Sequence, residues 1–211
     1  MKVKLVSYSK PAPGFVEEGV DNVQELIAFC ARVSNPSAQI NTETSEKLIR
    51  YLVKHQHWSP LEMVSACLEI ETTRDIAHQI VRHRSFSFQE FSQRYANPVE
   101  DMQFVSREAR LQDTKNRQNS IDLEDNEDAI KLQQGWATKQ DAVIMAADKA
   151  YRWAIDNGIA KEQARVVLPE GLTKTRLYMN GTLRSWVHYI ELRSANGTQK
   201  EHMDIAKECA T

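Results

Sequence analysis

The sequence has few cysteines, little net charge and no long apolar run. Cys30, Cys67 and Cys209 form an odd, widely spaced set without a CxxC pair or a zinc-ligand spacing. This pattern argues against a disulfide framework and against a structural metal, and it is typical of a reducing compartment. The formal net charge of -2 disfavours a general nucleic-acid binder, which would carry a broad basic field. Any site for an anion is therefore expected to be local.

The absence of long apolar runs also bears on location. No uninterrupted apolar stretch is long enough to span a bilayer, and the amino-terminal residues lack the apolar run of a signal peptide. We therefore expect a cytoplasmic protein without a membrane partner. The chain has 211 residues, of which 41% are hydrophobic, and this is enough for one sizeable core. The sequence predicts a single domain over residues 1–211.

Hydrophobic periodicity predicts a mixture of strands and helices. Alternation of apolar and polar residues predicts strands over residues 1–9, 64–71 and 173–180. Apolar residues at helical spacing predict helices that begin near Asp21, Thr42 or Thr44, Thr73, Trp136 and Leu183. Between the last strand and the last helix, Asn180 and Gly181 predict a tight turn.

The sequence also predicts which residues are buried, which are solvated and which hydroxyl is free for a ligand. The helix over residues 136–155 is predicted to bury a stripe that comprises Trp136, Val143, Ala147, Tyr151 and Ala154. The polar residues 97–135 predict a solvated face, with a mobile lid or a subunit contact as the alternatives. Because Ser59 precedes a proline, we expect an extended turn there that leaves its hydroxyl free for a ligand.

The densest group of chemically active residues lies between Arg82 and Tyr95. This stretch holds three arginines, a histidine, a glutamate, three serines and four aromatic residues. Guanidinium groups fit phosphate and carboxylate oxygens, and aromatic rings can stack on a flat ligand. The stretch therefore predicts a site for an anionic ligand with an aromatic ring. The alternative is a helix end at which cations simply complement the helix dipole.

Other residues could contribute to such a site. Gln79 and Arg82 are three apart on a predicted helix, so they could bind one ligand together. A second set of possible anion contacts comprises Arg165, Arg184 and Arg193. A metal site at His55 and His57 is disfavoured, because residues two apart on a helix face different ways.

Four blocks in order resemble the flavin-dependent thymidylate synthases. Arg82, His83 and Arg84, followed after seven residues by Ser92, resemble the signature of that family. The resemblance extends to residues 57–62, 164–169 and 180–193, so it covers most of the chain. The chain departs from the usual pattern at Gln89, where the signature has asparagine, and at Met63, where a histidine is common.

The resemblance implies an activity, a fold and an assembly. The activity is methylation of dUMP to dTMP, with methylenetetrahydrofolate as one-carbon donor, NADPH as hydride source and FAD as cofactor. The implied fold is α+β, a twisted β-sheet wrapped by helices, and the active sites form between subunits of a homotetramer. The reaction uses no cysteine nucleophile. Instead, Arg193 would hydrogen-bond the uracil ring and favour its ionised form.

The resemblance also implies which side chains contact each ligand. The implied dUMP contacts are Gln79, Arg82, Glu90, Ser92, Arg94, Arg165 and Arg193. The implied FAD contacts are Ser59, Arg82, His83, Arg84, Glu90, Thr182, Arg184 and His188. For His83, general acid or base catalysis is an alternative to positioning of the flavin ring. No metal ligand is expected.

Two other classes of function remain open from the residues alone. A nucleotide or single-strand binding module could use the same arginines and aromatic residues without chemistry, although the net negative charge weighs against it. A structural oligomerisation protein could use the Arg-His-Arg cluster as a helix end paired with Glu90, although the order of the four blocks weighs against that. The absorbance spectrum of the purified protein distinguishes these classes from a flavoprotein.

Overall fold

A four-stranded antiparallel sheet lies at the centre of the fold. The computed structural model of the protein describes residues 2–211, so Met1 of the predicted first strand lies outside the described residues. The strands are β1 (Lys2–Tyr8), β2 (Ser65–Thr73), β3 (Ser87–Glu90), β4 (Arg110–Gln112), β5 (Ser120–Asp122) and β6 (Lys174–Thr182). The central sheet has the order β1-β2-β6-β3, and β4 and β5 form a separate two-stranded hairpin.

Helices make up most of the remaining regular structure. They are α1 (Pro13–Glu17), α2 (Val23–Ala31), α3 (Ser45–Lys54), α4 (Arg74–Ile80), α5 (Pro98–Asp101), α6 (Glu127–Asp156), α7 (Lys161–Ala164), α8 (Leu183–Ser194) and α9 (Lys200–Glu208). Three short 3-10 turns occur at Pro36–Ala38, Ser59–Glu62 and Arg165–Val167. The predicted α+β class is confirmed.

The main core lies between the central sheet and helices α4, α8 and α9. Alternation places Leu68 and Ile70 of β2 and Leu177 and Met179 of β6 on the buried face of the sheet. The helices that cover this face contribute Ile76, Ala77, Ile80, Trp186, Tyr189, Ile205 and Ala206. This core fixes α4, α8 and α9 relative to β6, and the predicted site residues on these elements are Gln79, Thr182, Arg184, His188 and Arg193.

Two smaller cores hold helices α2, α3, α5, α6 and α7. Ile27 of α2, Leu52 of α3 and Leu61 of the 59–62 turn form one cluster, which also contacts the first turns of α8. The second cluster lies where the long helix α6 packs on α5 and α7, around Tyr151 and Ala154. Within residues 2–211, no helix is both long and apolar enough to cross a membrane.

Several local predictions need correction. Helix α2 is capped by Asn22 and Glu25 rather than by Asp21, because the Asn22 side chain accepts from the Glu25 amide at 3.0 Å. Asn180 and Gly181 form no turn, since both pair with β2 inside β6. In these cases a neighbouring residue or a partner strand supplies hydrogen bonds that a local pattern does not reveal.

The long helix α6 differs most from its prediction. It begins at Glu127, and Trp136 and Val143 are 44% and 48% exposed, so only the later part of the expected stripe is buried. Residues 97–135 are ordered into α5, the β4–β5 hairpin and the start of α6. The hairpin is held to α9 by ion pairs of Arg110 with Glu201 and of Lys200 with Asp122. A lid or subunit contact in this segment stays a prediction.

Candidate active site

The Arg-His-Arg segment is held between β6 and α8. Helix α4 ends at Ile80, and the segment then turns into β3, which pairs with β6. The ring of Phe86 lies over the bare backbone of Gly181 and meets Trp186 edge-on with ring centroids 4.8 Å apart. Phe86 thus packs into the core and is not one of the aromatic rings that are free to stack on a ligand.

Arg193 and His83 form the closest pair of predicted site residues. Arg193 Nε donates to His83 Nε2 at 2.8 Å, so this ring nitrogen is the acceptor and carries no proton. Burial, together with the charge of Arg193, lowers the pKa of His83. The ring also meets Tyr189 edge-on at 4.9 Å between centroids. His83 is therefore a neutral acceptor that orients Arg193, and this geometry favours positioning over acid or base catalysis.

The two flanking arginines are available for a ligand. Arg82 and Arg84 are both exposed, and neither forms an ion pair or side-chain hydrogen bond within residues 2–211. Guanidinium groups without a carboxylate partner retain their full attraction for a bound anion. The expectation that Arg82 and Gln79 share a helix face is wrong, because α4 ends before Arg82.

Gln79 instead belongs to a polar chain inside the fold. Its Nε2 donates to Gln199 Oε1 at 2.8 Å, and its Oε1 lies 3.3 Å from Nδ1 of His202. His202 Nε2 in turn lies 3.1 Å from the hydroxyl of Tyr189. The amide of Gln79 therefore has a fixed orientation at the edge of the Arg-His-Arg segment.

A second group of predicted residues meets at the start of α8. Ser59 begins a 3-10 turn rather than an extended one, because the turn packs Leu61 into the core, and its hydroxyl remains exposed. Glu62 of the same turn pairs with Arg184. Thr182 caps the 12-residue helix α8 through the Ser185 amide. Nearby, the ring of His188 meets Trp58 edge-on at 4.5 Å.

The remaining predicted residues form a third group. Glu90 accepts hydrogen bonds from Arg74 at 2.8 Å and from Thr175 at 2.9 Å. Arg94 pairs with Glu162 at 3.3 Å, and Arg165 Nε donates to the Glu162 carbonyl oxygen at 3.3 Å. Ser92 lies close by and accepts from the Arg94 amide at 3.4 Å. Arg74 and Arg165 both line a cavity of about 450 Å³.

The predicted dUMP contacts thus fall into two groups on one chain. Within the part of the chain that the structure describes, no hydrogen bond or ion pair joins Glu90, Arg94 or Arg165 to the His83–Arg193 pair. Hydrogen bonds or ion pairs join members within each group, and none of those described joins one group to the other.

The sequence did not indicate the partners of these residues. Arg74 and Thr175 hold Glu90, while Tyr189, Gln199 and His202 hold Gln79. One signal was present, since His202 shares a helical stripe with the apolar Ile205 and Ala206 and therefore had to be buried.

The thiols and the acidic residues form no reactive or metal-binding cluster. All three cysteines are free. Burial raises the pKa of Cys30 and of Cys67, and burial with the charge of Glu208 raises that of Cys209 to about 12. Across residues 2–211, no three His, Cys, Asp or Glu side chains are grouped so that they could hold a metal ion.

Comparisons with known proteins identify the family. Residues 16–211 match the family model described as thymidylate synthase complementing protein. A probable flavin-dependent thymidylate synthase of Paramecium bursaria Chlorella virus 1 is 50% identical over 209 residues, which are 99% of this chain and 92% of the relative. The chain belongs to the flavin-dependent thymidylate synthase family. The expected family and enzyme class are therefore confirmed.

Further relatives agree with this membership. The flavin-dependent thymidylate synthase of Synechocystis sp. is 48% identical over 208 residues, which cover 98% of this chain and 91% of the relative. The crystal structure of PolB from Streptomyces cacaoi, described as a UMP/dUMP methylase bound with 5-Br dUMP, has a TM-score of 0.73 and 24% identity. The structural match covers 98% of this chain and 86% of the PolB chain. At this sequence identity, the match supports the fold alone.

Proposed function

We propose that this enzyme of the family methylates dUMP to dTMP, with FAD as cofactor, methylenetetrahydrofolate as one-carbon donor and NADPH as reductant. The observation that carries the proposal is the Arg193–His83 pair beside the unpaired Arg82 and Arg84. This arrangement offers one oriented cation and two free cations at the segment that matches the family signature. A pyrimidine nucleotide and a dinucleotide cofactor both need such donors.

The residues around the start of α8 fit FAD. The exposed hydroxyl of Ser59, the guanidinium groups of Arg84 and Arg184, and the N-terminus of a 12-residue helix are donors suited to a pyrophosphate. Together with Arg82, His83, Glu90, Thr182 and His188, these residues would hold the cofactor. When bound, FAD supplies hydride-transfer chemistry that amino-acid side chains lack. Because Glu62 already pairs with Arg184, the cofactor would share that guanidinium.

The nucleotide would be bound by the two groups of predicted dUMP residues. One group supplies Gln79, Arg82 and Arg193, and the other supplies Glu90, Ser92, Arg94 and Arg165. Because no hydrogen bond or ion pair described within one chain joins these groups, we propose that one subunit's first group meets another subunit's second group. Such a pairing would place the active sites between subunits, as expected for the homotetramer.

Arg193 would polarise the uracil ring. It has no carboxylate partner within residues 2–211, and the one side chain that holds it, His83, is neutral. Its positive charge is therefore not cancelled by the protein. A guanidinium directed at the uracil stabilises negative charge on the ring as it develops, and this makes the ring a better nucleophile.

No cysteine would serve as a nucleophile in this reaction. A thiolate is the reactive form, and the raised pKa of each thiol keeps it protonated at neutral pH. The protein would position and polarise the ligands while the redox chemistry resides in the cofactor. The cytoplasmic location stays a prediction from cysteine usage.

The test is the absorbance spectrum of the purified protein, followed by an assay for dTMP. We expect stoichiometric FAD and dTMP formation that requires both methylenetetrahydrofolate and NADPH. An Arg84→Gln variant should bind FAD at least about tenfold more weakly, because a charge-assisted hydrogen bond contributes about 1.5–3 kcal/mol. Arg50→Gln is the matched control, since Arg50 is exposed and pairs only with Glu46. A protein that ignores FAD would overturn the proposal.

A further inference from the structure

A hydrogen-bond chain crosses the main core from the β4–β5 hairpin to helix α8. Arg110 of the hairpin pairs with Glu201, and Glu201 Oε2 accepts from Gln199 Nε2 at 2.9 Å. The chain continues through Gln79 and His202 to the hydroxyl of Tyr189. Its far end thus lies beside the ring of His83, against which Tyr189 packs.

One carboxylate determines the direction of every hydrogen bond in this chain. Burial would raise the pKa of Glu201, but hydrogen bonds from Arg110, its own backbone and Gln199 outweigh burial and hold the pKa below its ordinary value. The ionised carboxylate can only accept, so Gln199 donates its Nε2 and presents its Oε1 to Gln79. Gln79 must then donate Nε2–H to Gln199 and present its Oε1 to His202.

The imidazole of His202 is consequently limited to one tautomer. Nδ1 carries the proton that is donated to Gln79 Oε1, and Nε2 accepts from the Tyr189 hydroxyl. The side chain is fully buried, and burial, with the charge of Arg193 and the neighbouring His83 ring as smaller causes, lowers its pKa to about 3. Burial raises the pKa of Tyr189, so the phenol keeps the proton it donates. Every polar atom of the ring is used.

The same bonds leave Gln79 with one free donor. Its Oε1 is occupied by His202 and one Nε2–H by Gln199, while the second Nε2–H has no partner among the described residues. Without His202, the amide of Gln79 would be held by Gln199 alone, and a 180° flip, which presents a carbonyl oxygen where an N–H now lies, would cost only that one hydrogen bond.

We propose that His202 is a positioning residue for the nucleotide, whose Nδ1–H locks the amide of Gln79 with its free N–H directed to the substrate. This inference rests on the proposed function, because it takes Gln79 as a dUMP contact. The ligand atom that it recognises is a hydrogen-bond acceptor oxygen of the nucleotide. The chain Arg110–Glu201–Gln199 acts with His202, since it selects the tautomer.

The tautomer is measured first, in the full chain without nucleotide. Long-range proton–nitrogen spectra of protein with labelled histidines show which ring nitrogen carries the proton, and the His202→Asn variant assigns the signal among the six histidines. We expect a neutral ring protonated at Nδ1 at pH 7. A ring protonated at Nε2, or at both nitrogens, would overturn the proposal whether or not dUMP binds.

The second experiment measures dissociation constants for dUMP and for FAD in His202 variants. His202→Leu removes both ring hydrogen bonds and should weaken dUMP about tenfold with FAD binding unchanged, since one lost hydrogen bond of this kind corresponds to about that factor. His202→Asn restores an N–H at the position of Nδ1 and should bind dUMP within about threefold of the parent. Ile205→Val, on the same buried helix face, is the packing control and should leave dUMP affinity unchanged.

The outcomes separate this inference from the proposed function. If the parent protein binds FAD and dUMP but His202→Leu binds dUMP equally well, the positioning role is wrong. Equal losses in the Leu and Asn variants would also contradict it, because they would indicate packing alone. If His202→Leu does not fold, Gln199→Met removes the other partner of Gln79 at a half-buried position and must weaken dUMP by at least threefold. A parent protein that binds no dUMP contradicts the proposed function instead.

Discussion

Replacing Gly181 by alanine tests how the sheet positions the Arg-His-Arg segment. A Cβ at this position would lie 2.4 Å from Cδ1 and 2.6 Å from Cε1 of Phe86, far inside any van der Waals contact. The backbone itself does not require glycine, because Gly181 is not among the residues with positive φ. Alanine in a strand interior would otherwise stabilise by about 0.5–1 kcal/mol relative to glycine. The sign of the change in the free energy of unfolding therefore shows whether the clash with Phe86 outweighs this gain.

The expected magnitude follows from the packing of Phe86. Its ring is enclosed by Gly181, Trp186 and Tyr189, so it cannot move without disturbing the core. Overpacking of this kind costs about 1–3 kcal/mol. After the gain from removing a strand glycine, we expect Gly181→Ala to lower the free energy of unfolding by roughly 0.5–2 kcal/mol. Because Phe86 is two residues from Arg84, FAD binding should weaken as well.

The assay is a double-mutant cycle of Gly181→Ala and Phe86→Ala, in which the free energy of unfolding of each variant is measured by urea denaturation. In a Phe86→Ala background the clash is absent, so Gly181→Ala should become neutral or stabilising. Gly171→Ala is the matched control, since the nearest atom to its Cβ would be Asp75 Oδ2 at an ordinary 3.9 Å. Equal destabilisation by Gly181→Ala with and without the Phe86 ring would refute the reasoning.

Three further predictions concern the chemistry and the buried histidine. Arg193→Ala should abolish turnover while retaining FAD, because its proposed partner is the pyrimidine; normal turnover would contradict this. A variant with serine at positions 30, 67 and 209 should keep most of its dTMP formation, and selective loss of chemistry in a folded protein would argue for a thiol nucleophile. The pKa of His202 is lowered from 6.5, its ordinary value, to about 3 in the folded state. Below pH 6.5 the unfolded state therefore binds a proton that the folded state does not bind, so stability falls as pH decreases. Between pH 7 and 5 the parent should lose about 2 kcal/mol more unfolding free energy than His202→Leu, measured by urea titration, and equal losses would refute the shifted pKa.

The sequence predicts elements whose pattern is local. Strand β2 and helix α8 were predicted from their alternation and their apolar stripe, because each has one buried and one exposed face. Strand β3 has only four residues, and its order comes from pairing with β6, which no local pattern reveals. The same pairing explains the error at Asn180 and Gly181, where β2 supplies a partner to residues that favour a turn.

The sequence predicted which residues belong to the candidate site but not which residues they contact. The sequence places Arg82, His83 and Arg84 together, since they are adjacent, yet it cannot show that Arg193 donates to His83 across 110 residues. Glu90 was expected at a ligand and already accepts from Arg74 and Thr175, which leaves fewer of its lone pairs for a ligand. Such contacts depend on how α4, α8 and β6 pack, and packing is a property of the whole core.

The electrostatics of Arg193 connect the fold to the proposed chemistry. Burial first, and the charge of Arg193 second, lower the pKa of both His83 and His202, so both rings stay neutral and add no second cation beside the arginine. Neither ring cancels its charge, and no carboxylate pairs with it in residues 2–211. An anionic ring bound beside this arginine would therefore be the negative charge that pairs with it. Coulomb attraction between the two is several times stronger in a partly buried site than in water. His83 thus orients the arginine through a hydrogen bond, and neither neutral histidine offsets the charge that the proposed substrate would meet.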